Sequence, residues 1–248
     1  MTTDARNPER FALAIECSNP SARGADRGEV GLARMDDAGG LAFIGSVGLS
    51  QEARGSDGLV AAMNEVCSAH GADPSSIARV VVSIGPGGYT ALRISVTVAK
   101  ILARVNGCRV VAVPSAAVAA VGLLDESKGM GESVDSTSAV IALASKNKEA
   151  HCTRLINGEL EVLGVIGAEG VAASGAGVLV GDGHLPREMV EAAQHAGMRV
   201  EGLSLTARSL LEASVGFGGC FGEIDPTELG VSYAREPDAV TQWRKLHG

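Results

Sequence analysis

The stretch that most constrains the fold of this chain is residues 80–103, where an apolar run is followed by a glycine-rich turn and a helical pattern. Val80, Val81, Val82 and Ile84 form a short continuous apolar run, which is typical of a strand covered on both faces. Strands of that kind belong to parallel sheets that pack between helices. The sequence therefore predicts an α/β protein in which this strand is central.

The turn after this strand, GPGG at residues 85–88, leads into the predicted helix. Glycine adopts positive φ readily and Pro86 fixes φ, so the chain can reverse sharply here. We predict Thr90 as the N-cap of the helix and Gly107 as its stop signal. One face of the helix carries Leu92, Val96, Ala99 and Ala103.

A glycine-rich turn before a helix has two interpretations. It can bind a phosphate group, because free N–H groups and the helix dipole favour an anion there. Alternatively, its glycines only allow two backbone segments to approach closely. The spacing matches neither G-x-G-x-x-G nor the P-loop, and Lys100 lies well inside the helix. The residues alone favour the structural interpretation.

Composition limits the class of protein. The chain has 248 residues, 46% hydrophobic and 20% charged, which is enough apolar content for a globular core. Aromatic residues make up only 3%, so aliphatic side chains and alanine must fill that core. The net charge of −8 argues against strong nucleic-acid binding by the chain alone.

The cysteines and the amino-terminal residues indicate a compartment. The five cysteines are odd in number and widely spaced, with no C-x-x-C, which favours buried thiols in a reducing environment. The first ten residues are charged and lack the apolar core of a signal peptide. Residues 110–124 are too short to cross a bilayer. We therefore expect a cytoplasmic protein that does not contact the membrane.

The order of elements predicts two similar halves. The first half begins with three predicted strands, at 11–18, 29–35 and 41–49. An amphipathic helix at 56–70 follows, and then the strand, turn and helix described above. A strand at 109–113 and a helix from Ser115 complete this half. In the second half, a strand at 139–144 precedes a hairpin around Asn157-Gly158, a helix at 168–174, a strand at 178–180 and helices at 186–196 and 206–215. We predict lobes at 1–124 and 139–248, joined by a polar linker at 125–138.

The predicted unit is a duplicated βββαβα arrangement. Two such lobes with a cleft between them resemble the actin-like, sugar-kinase and Hsp70-type ATPase (ASKHA) fold. This resemblance concerns topology and does not fix the function.

Four motifs resemble those of the TsaB family, the accessory subunit of the bacterial machinery that makes threonylcarbamoyladenosine in tRNA. GPGGYTALRI at 85–94 resembles the family signature GPGSFTGLRIG, and LAIECS at 13–18 resembles its opening strand. VGDG at 180–183 is similar to its second-half turn, and Ser232-Tyr233-Ala234-Arg235 is similar to its closing Y-x-R motif. The chain departs from the family at Glu16, in the longer turn 19–27, at Gly88 and Ala91, and at Ala144-Ser145-Lys146.

The resemblance implies a non-catalytic scaffold that binds no cofactor or metal of its own. Its partner would be a TsaD-type catalytic subunit, which holds ATP and metal; a TsaE-type ATPase is a further candidate. The chain alone would form a homodimer, and tRNA would be reached only through the complex. The family associates through the two helices of the first half, which assigns to the interface Leu59, Met63, Val66, Leu92, Arg93 and Val96.

Two enzymatic alternatives remain open. Glu16 ends the first strand and Asp182 ends the equivalent strand of the second half, so the two carboxyl groups could serve a small-molecule kinase or ATPase across the cleft. Structurally, both would accept hydrogen bonds from turn N–H groups. The second alternative is the TsaD-like transferase itself, which is disfavoured because the five histidines form no H-x-x-x-H pair. We expect Arg93 to pair with a carboxylate of the chain, such as Glu16 or Glu65; the alternative is contact with a phosphate or with a carboxylate of the partner.

Overall fold

The computed structural model describes residues 9–19, 21, 28–49, 56–129, 138–217, 221–235 and 243–244. The first half contains β1 (Arg10–Glu16), β2 (Glu29–Met35), β3 (Leu41–Gly48), α1 (Ser56–Ala69), a 3-10 turn (Pro74–Ser76), β4 (Ile77–Gly85), α2 (Tyr89–Asn106), β5 (Arg109–Pro114) and α3 (Ser115–Gly129). The second half contains β6 (Ala139–Lys146), β7 (Glu149–Ile156), β8 (Glu159–Ile166), α4 (Ala168–Ala172), β9 (Val178–Gly181), α5 (Arg187–His195), β10 (Arg199–Gly202) and α6 (Ala207–Gly216), followed by β11 (Glu223–Ile224).

The two halves have the same sheet topology. The first sheet has the order β11-β5-β4-β1-β2-β3 and the second has the order β10-β9-β6-β7-β8. In each sheet the first strand of the half is antiparallel to the second and parallel to the strand that follows the first helix. The predicted duplicated α/β fold of the ASKHA type is therefore confirmed.

Each repeat is longer than the predicted βββαβα unit by one strand and one helix. In the second half the missing strand is β10, whose four residues, RVEG, contain no apolar run. It was not predicted because its strand conformation comes from parallel pairing with β9 rather than from its own sequence.

The largest core lies between the two sheets, where α3 packs against α6. Both sheets contribute buried side chains to it, among them Ala14 and Val81 from the first and Ile141 and Val180 from the second. A hydrogen bond adds to this packing, since the N–H of Ala207 at the start of α6 donates to Glu29 Oε2 at 2.7 Å. The two halves therefore share one core.

The boundary between the halves differs in detail from the predicted linker. Helix α3 continues to Gly129, inside the segment 125–138, and residues 130–137 lie outside the described residues. The carboxyl-terminal segment returns to the first sheet: β11 pairs with β5, and the N–H of Ser232 donates to the carbonyl of Ile84 at 2.8 Å. Leu229 is buried in the core of the first half. The limits 1–124 and 139–248 remain a prediction, but residues 223–232 pack with the first sheet.

The turn and helix-end predictions had mixed outcomes. Thr90 is not the N-cap of α2, because Gly88 occupies that position and Thr90 lies in the first turn. Gly107 ends the helix in the left-handed conformation, with φ of 65°, as predicted. The predicted hairpin is confirmed, since Asn157 and Gly158 both have positive φ and join β7 directly to β8.

The described cysteines are buried and free, as expected: Cys17, Cys67, Cys108 and Cys152. Burial raises the pKa of Cys152 to about 12. Cys220 lies outside the described residues. Among the helices that the structure describes, none has both the length and the apolar content needed to cross a bilayer.

Four of the six residues assigned to a partner interface are buried within the chain itself. Val66 and Leu92 are fully buried, Leu59 is 1% exposed and Val96 is 6% exposed. Of the other two, Met63 is half-buried and Arg93 is exposed. The apolar face of each amphipathic helix covers its own sheet, so these four side chains are not exposed in the free chain, and the interface assignment stays a prediction.

We predict that Val66→Asp unfolds the chain instead of only weakening association. A carboxylate in this fully buried position has no partner, so the free energy of unfolding should fall by about 3 kcal/mol or more. Urea denaturation of the variant measures this loss. Asn64→Asp, at an exposed position on the same helix, is the matched control and should change stability by about 0.5 kcal/mol or less. A stable Val66→Asp protein would contradict the buried placement.

Candidate functional site

The glycine-rich turn packs against the end of β1. The N–H of Gly88 donates to the carbonyl of Ser18 at 2.6 Å, and a Cβ at Gly87 would overlap that same carbonyl oxygen. Gly85 has φ of 101°, and a Cβ there would lie 2.6 Å from the carbonyl oxygen of Ser232. The turn is thus enclosed by two backbone segments. This geometry agrees with the structural interpretation, because the N–H of Gly88 is already used within the chain.

Glu16 is buried at the carboxyl end of β1, with 2% of its surface exposed. Its Oε1 accepts hydrogen bonds from the Ser18 N–H at 2.7 Å and the Ser18 hydroxyl at 2.6 Å. Its Oε2 is also buried, and none of the described residues donates a hydrogen bond to it. Burial raises the pKa of this carboxyl, and the hydrogen bonds from Ser18 oppose that shift only in part. The neutral form is therefore favoured relative to a carboxyl in water.

Asp182 faces the end of β1 from the second half, as the sequence predicted. The side-chain amide of Asn19 donates to Asp182 Oδ2 at 2.8 Å, and the N–H of His184 donates to Oδ1 at 2.9 Å. Asn19 therefore joins the two halves across the cleft. Glu16 and Asp182 each accept a turn N–H, which is the structural role considered for them. Asn19 was not predicted from the sequence, because a single amide three residues beyond the end of a strand carries no distinctive signal.

Arg93 contacts tyrosines, so its expected pairing with Glu16 or Glu65 is wrong. Its Nε donates to the Tyr233 hydroxyl at 2.9 Å, and its guanidinium lies 3.9 Å from the centroid of the Tyr89 ring. The two tyrosine rings are 5.2 Å apart. This cluster attaches the carboxyl-terminal segment to the start of α2. Cation–π contact and a charge-assisted hydrogen bond replace the expected ion pair.

Arg235, the arginine of the Y-x-R motif, reaches the second half. Its Nη1 donates to the carbonyl of Ala144 at 3.1 Å, and its Nη2 lies 3.6 Å from Glu149 Oε2. Burial is the main cause that lowers the pKa of the neighbouring His151, and the positive charge of Arg235 lowers it further. The closing motif thus links α2, through Tyr233, to the end of β6. Within the described ranges, no group of three His, Cys, Asp or Glu side chains is arranged to hold a metal ion.

We predict that Glu16→Gln makes the chain more stable than the parent at alkaline pH. The pKa of Glu16 is raised in the folded state. Its contribution to the free energy of unfolding is therefore intact below the ordinary pKa of 4.5 and is lost as the pH rises through the folded-state pKa. Glutamine is isosteric and neutral, so the melting temperature of the variant relative to the parent should rise between pH 5 and pH 9.

Differential scanning fluorimetry across this pH range measures the difference. Glu65→Gln, at an exposed position on α1, is the control, and its difference from the parent should stay constant. A Glu16→Gln variant that becomes relatively less stable with rising pH would mean that the ionised carboxylate is the stabilising form.

Comparisons with known proteins agree with this architecture. The family model of TsaD, tRNA N6-adenosine threonylcarbamoyltransferase, matches residues 53–152. No curated protein matches the chain. A crystal structure of an uncharacterized protein with similarity to peptidase YeaZ from Pseudomonas aeruginosa has a TM-score of 0.60 and 17% identity, covering 91% of this chain and 100% of that chain. YeaZ from Pseudomonas aeruginosa gives a TM-score of 0.59 and 17% identity, covering 90% of this chain and 99% of that one. The chain is therefore similar to YeaZ, the TsaB protein, in its fold, and residues 53–152 match the TsaD family model.

Proposed function

We propose that this chain is a TsaB-type accessory subunit that binds a TsaD-type transferase in the synthesis of N6-threonylcarbamoyladenosine in tRNA. The observation that carries the proposal is the YeaZ-like fold over 91% of the chain together with the motif GPGGYTALRI at its central turn. The TsaD-type subunit would hold ATP and metal, and tRNA would reach this chain only in the complex. A TsaE-type ATPase is a further partner, and the complex would work in the cytoplasm.

A scaffold role fits the state of the two cleft carboxyl groups. A carboxylate that binds metal–phosphate must be ionised and accessible, whereas Glu16 is 2% exposed and its raised pKa favours the neutral form. Asp182 is engaged by Asn19 and by the N–H of His184. These contacts support structural roles for both residues over a kinase or ATPase mechanism.

The match to the TsaD family model makes the transferase itself a second candidate. TsaD carries a paired-histidine metal motif, and the five histidines of this sequence form no such pair. The accessory subunit therefore remains the better-supported proposal.

The outer surface of α1 and α2 is the proposed partner interface. Helix α1 packs on β2 and β3 and α2 packs on β4 and β5, so both cover the same face of the first sheet. Their solvent sides carry apolar side chains, with Val60 45% exposed, Ile101 55% and Val105 74%. The half-buried Met63 and the exposed Arg93 belong to the same helices. We infer that these residues, in place of the four buried ones, contact the TsaD-type partner or a second copy.

We predict that Ile101→Glu and Val105→Glu, together, abolish association and leave the fold intact. Both side chains are exposed, so glutamate costs little in the free chain, but a partner would have to bury two unpaired carboxylates. Size-exclusion chromatography with light scattering tests the homodimer, and pull-down with the TsaD-type protein of the same organism tests the complex. Val215→Glu, 53% exposed on α6, is the matched control and should bind normally. Unchanged binding by the double variant would place the interface elsewhere.

We also predict that the purified chain does not hydrolyse ATP above background. A coupled phosphate-release assay on the chain alone measures this. The assay should become positive only after a TsaD-type partner is added. ATP turnover by the chain alone that disappears in a Glu16→Ala variant would support the kinase or ATPase alternative.

A further inference from the structure

Three arginines occupy the amino-terminal ends of three adjacent strands in the first sheet, at the end opposite Glu16 and the glycine-rich turn. Arg79 on β4 is the direct register partner of Arg109 on β5. On the other side, Arg79 pairs with Ala12 of β1, and Arg10 is two residues before Ala12. Because alternate residues of a strand share a face, all three arginines lie on one face of the sheet.

The described residues neutralise this cluster only in part. Glu223 of β11 forms ion pairs with two of the three arginines, and it does so through one oxygen. Its Oε1 lies 2.7 Å from Arg109 Nη1 and 3.8 Å from Arg79 Nη2. Like charges on directly opposed strand positions repel each other, so one carboxylate shared between two guanidinium groups leaves an excess of positive charge. This excess stands out in a chain whose net charge is −8.

Arg79 forms the recessed part of the cluster. Its side chain is only 13% exposed, and its Nε is buried with no hydrogen-bond acceptor among the described residues. Burial is the main cause that lowers the pKa of this guanidinium. The positive charge of Arg109 lowers it further, and the negative charge of Glu223 opposes the shift. A buried N–H donor without an acceptor costs free energy, so the contacts with Glu223 leave this guanidinium incompletely satisfied. Arg109 is 48% exposed and Arg10 is exposed, so both border the recess from the solvent side.

We propose that Arg10, Arg79 and Arg109 form a binding site for a phosphate group. Three guanidinium groups and one carboxylate have a combined charge of +2, which a phosphate can balance and a single carboxylate cannot. Guanidinium groups present several donors in a plane and match phosphate oxygens in pairs. The phosphate belongs either to a small phosphorylated molecule or to the backbone of an RNA. This site is separate from the α1–α2 surface and does not depend on the proposed function.

Titration of inorganic phosphate into the full chain at low salt tests the site, with isothermal calorimetry as the readout. Arg109→Gln should weaken phosphate binding about tenfold or more, since it removes a charge-assisted donor pair. Glu223→Gln should strengthen binding, because it removes the competing carboxylate. Arg187→Gln, which removes one exposed positive charge on α5, is the matched control and should bind phosphate like the parent.

The source of the phosphate is decided by a second titration with a short single-stranded RNA over a range of salt concentrations. If RNA is the ligand, Arg109→Gln should lower the slope of log K against log salt by about one unit. If phosphate binds and RNA does not, the ligand is a small phosphorylated molecule. The proposal is overturned if neither probe binds, or if Arg187→Gln loses as much affinity as Arg109→Gln. Circular dichroism melts confirm that each variant is folded.

Discussion

The close packing of α3 against α6 between the two sheets is the contact on which the rest of the structure depends. The buried residues of α3 are mostly alanines, among them Ala116, Ala117, Ala119 and Ala120. Alanine loses no rotamer freedom on burial and lets neighbouring backbones approach closely. A chain with 3% aromatic residues can therefore build a dense core from small side chains. The ends of β1 and β9 face each other because both strands contribute to this core through Ala14 and Val180.

This arrangement brings the two halves into contact at the ends of β1 and β9. Asn19 joins the two halves at Asp182, and the carbonyl of Ser18 takes the N–H of Gly88, the donor that a phosphate would otherwise use. Glu16 is buried beside these contacts, with its Oε1 held by Ser18. The proposed partner surface and the arginine cluster both lie away from the facing ends of β1 and β9.

Much of the fold was predictable because local patterns and tertiary pairing agree in this chain. The apolar run before residue 85 marks the central strand, the alternating strands mark the meanders, and Asn157-Gly158 marks a hairpin. Predictions failed where the partner is distant in sequence. β10 is a strand only because β9 pairs with it, and Arg93 meets Tyr233 from the other end of the chain. The interface residues stay undecided for another reason: periodicity identifies the apolar face of a helix but not whether its own sheet or a partner covers it.

The return of the carboxyl-terminal segment to the first sheet has a consequence for biosynthesis. β11 covers the edge of β5, and Leu229 fills the core of the first half, yet both follow the whole second half in the sequence. While the ribosome is still making the second half, the first sheet has an unpaired edge and an incompletely filled core. An exposed strand edge is a template for pairing with other chains. The nascent first half therefore keeps an unpaired strand edge until β11 has been translated.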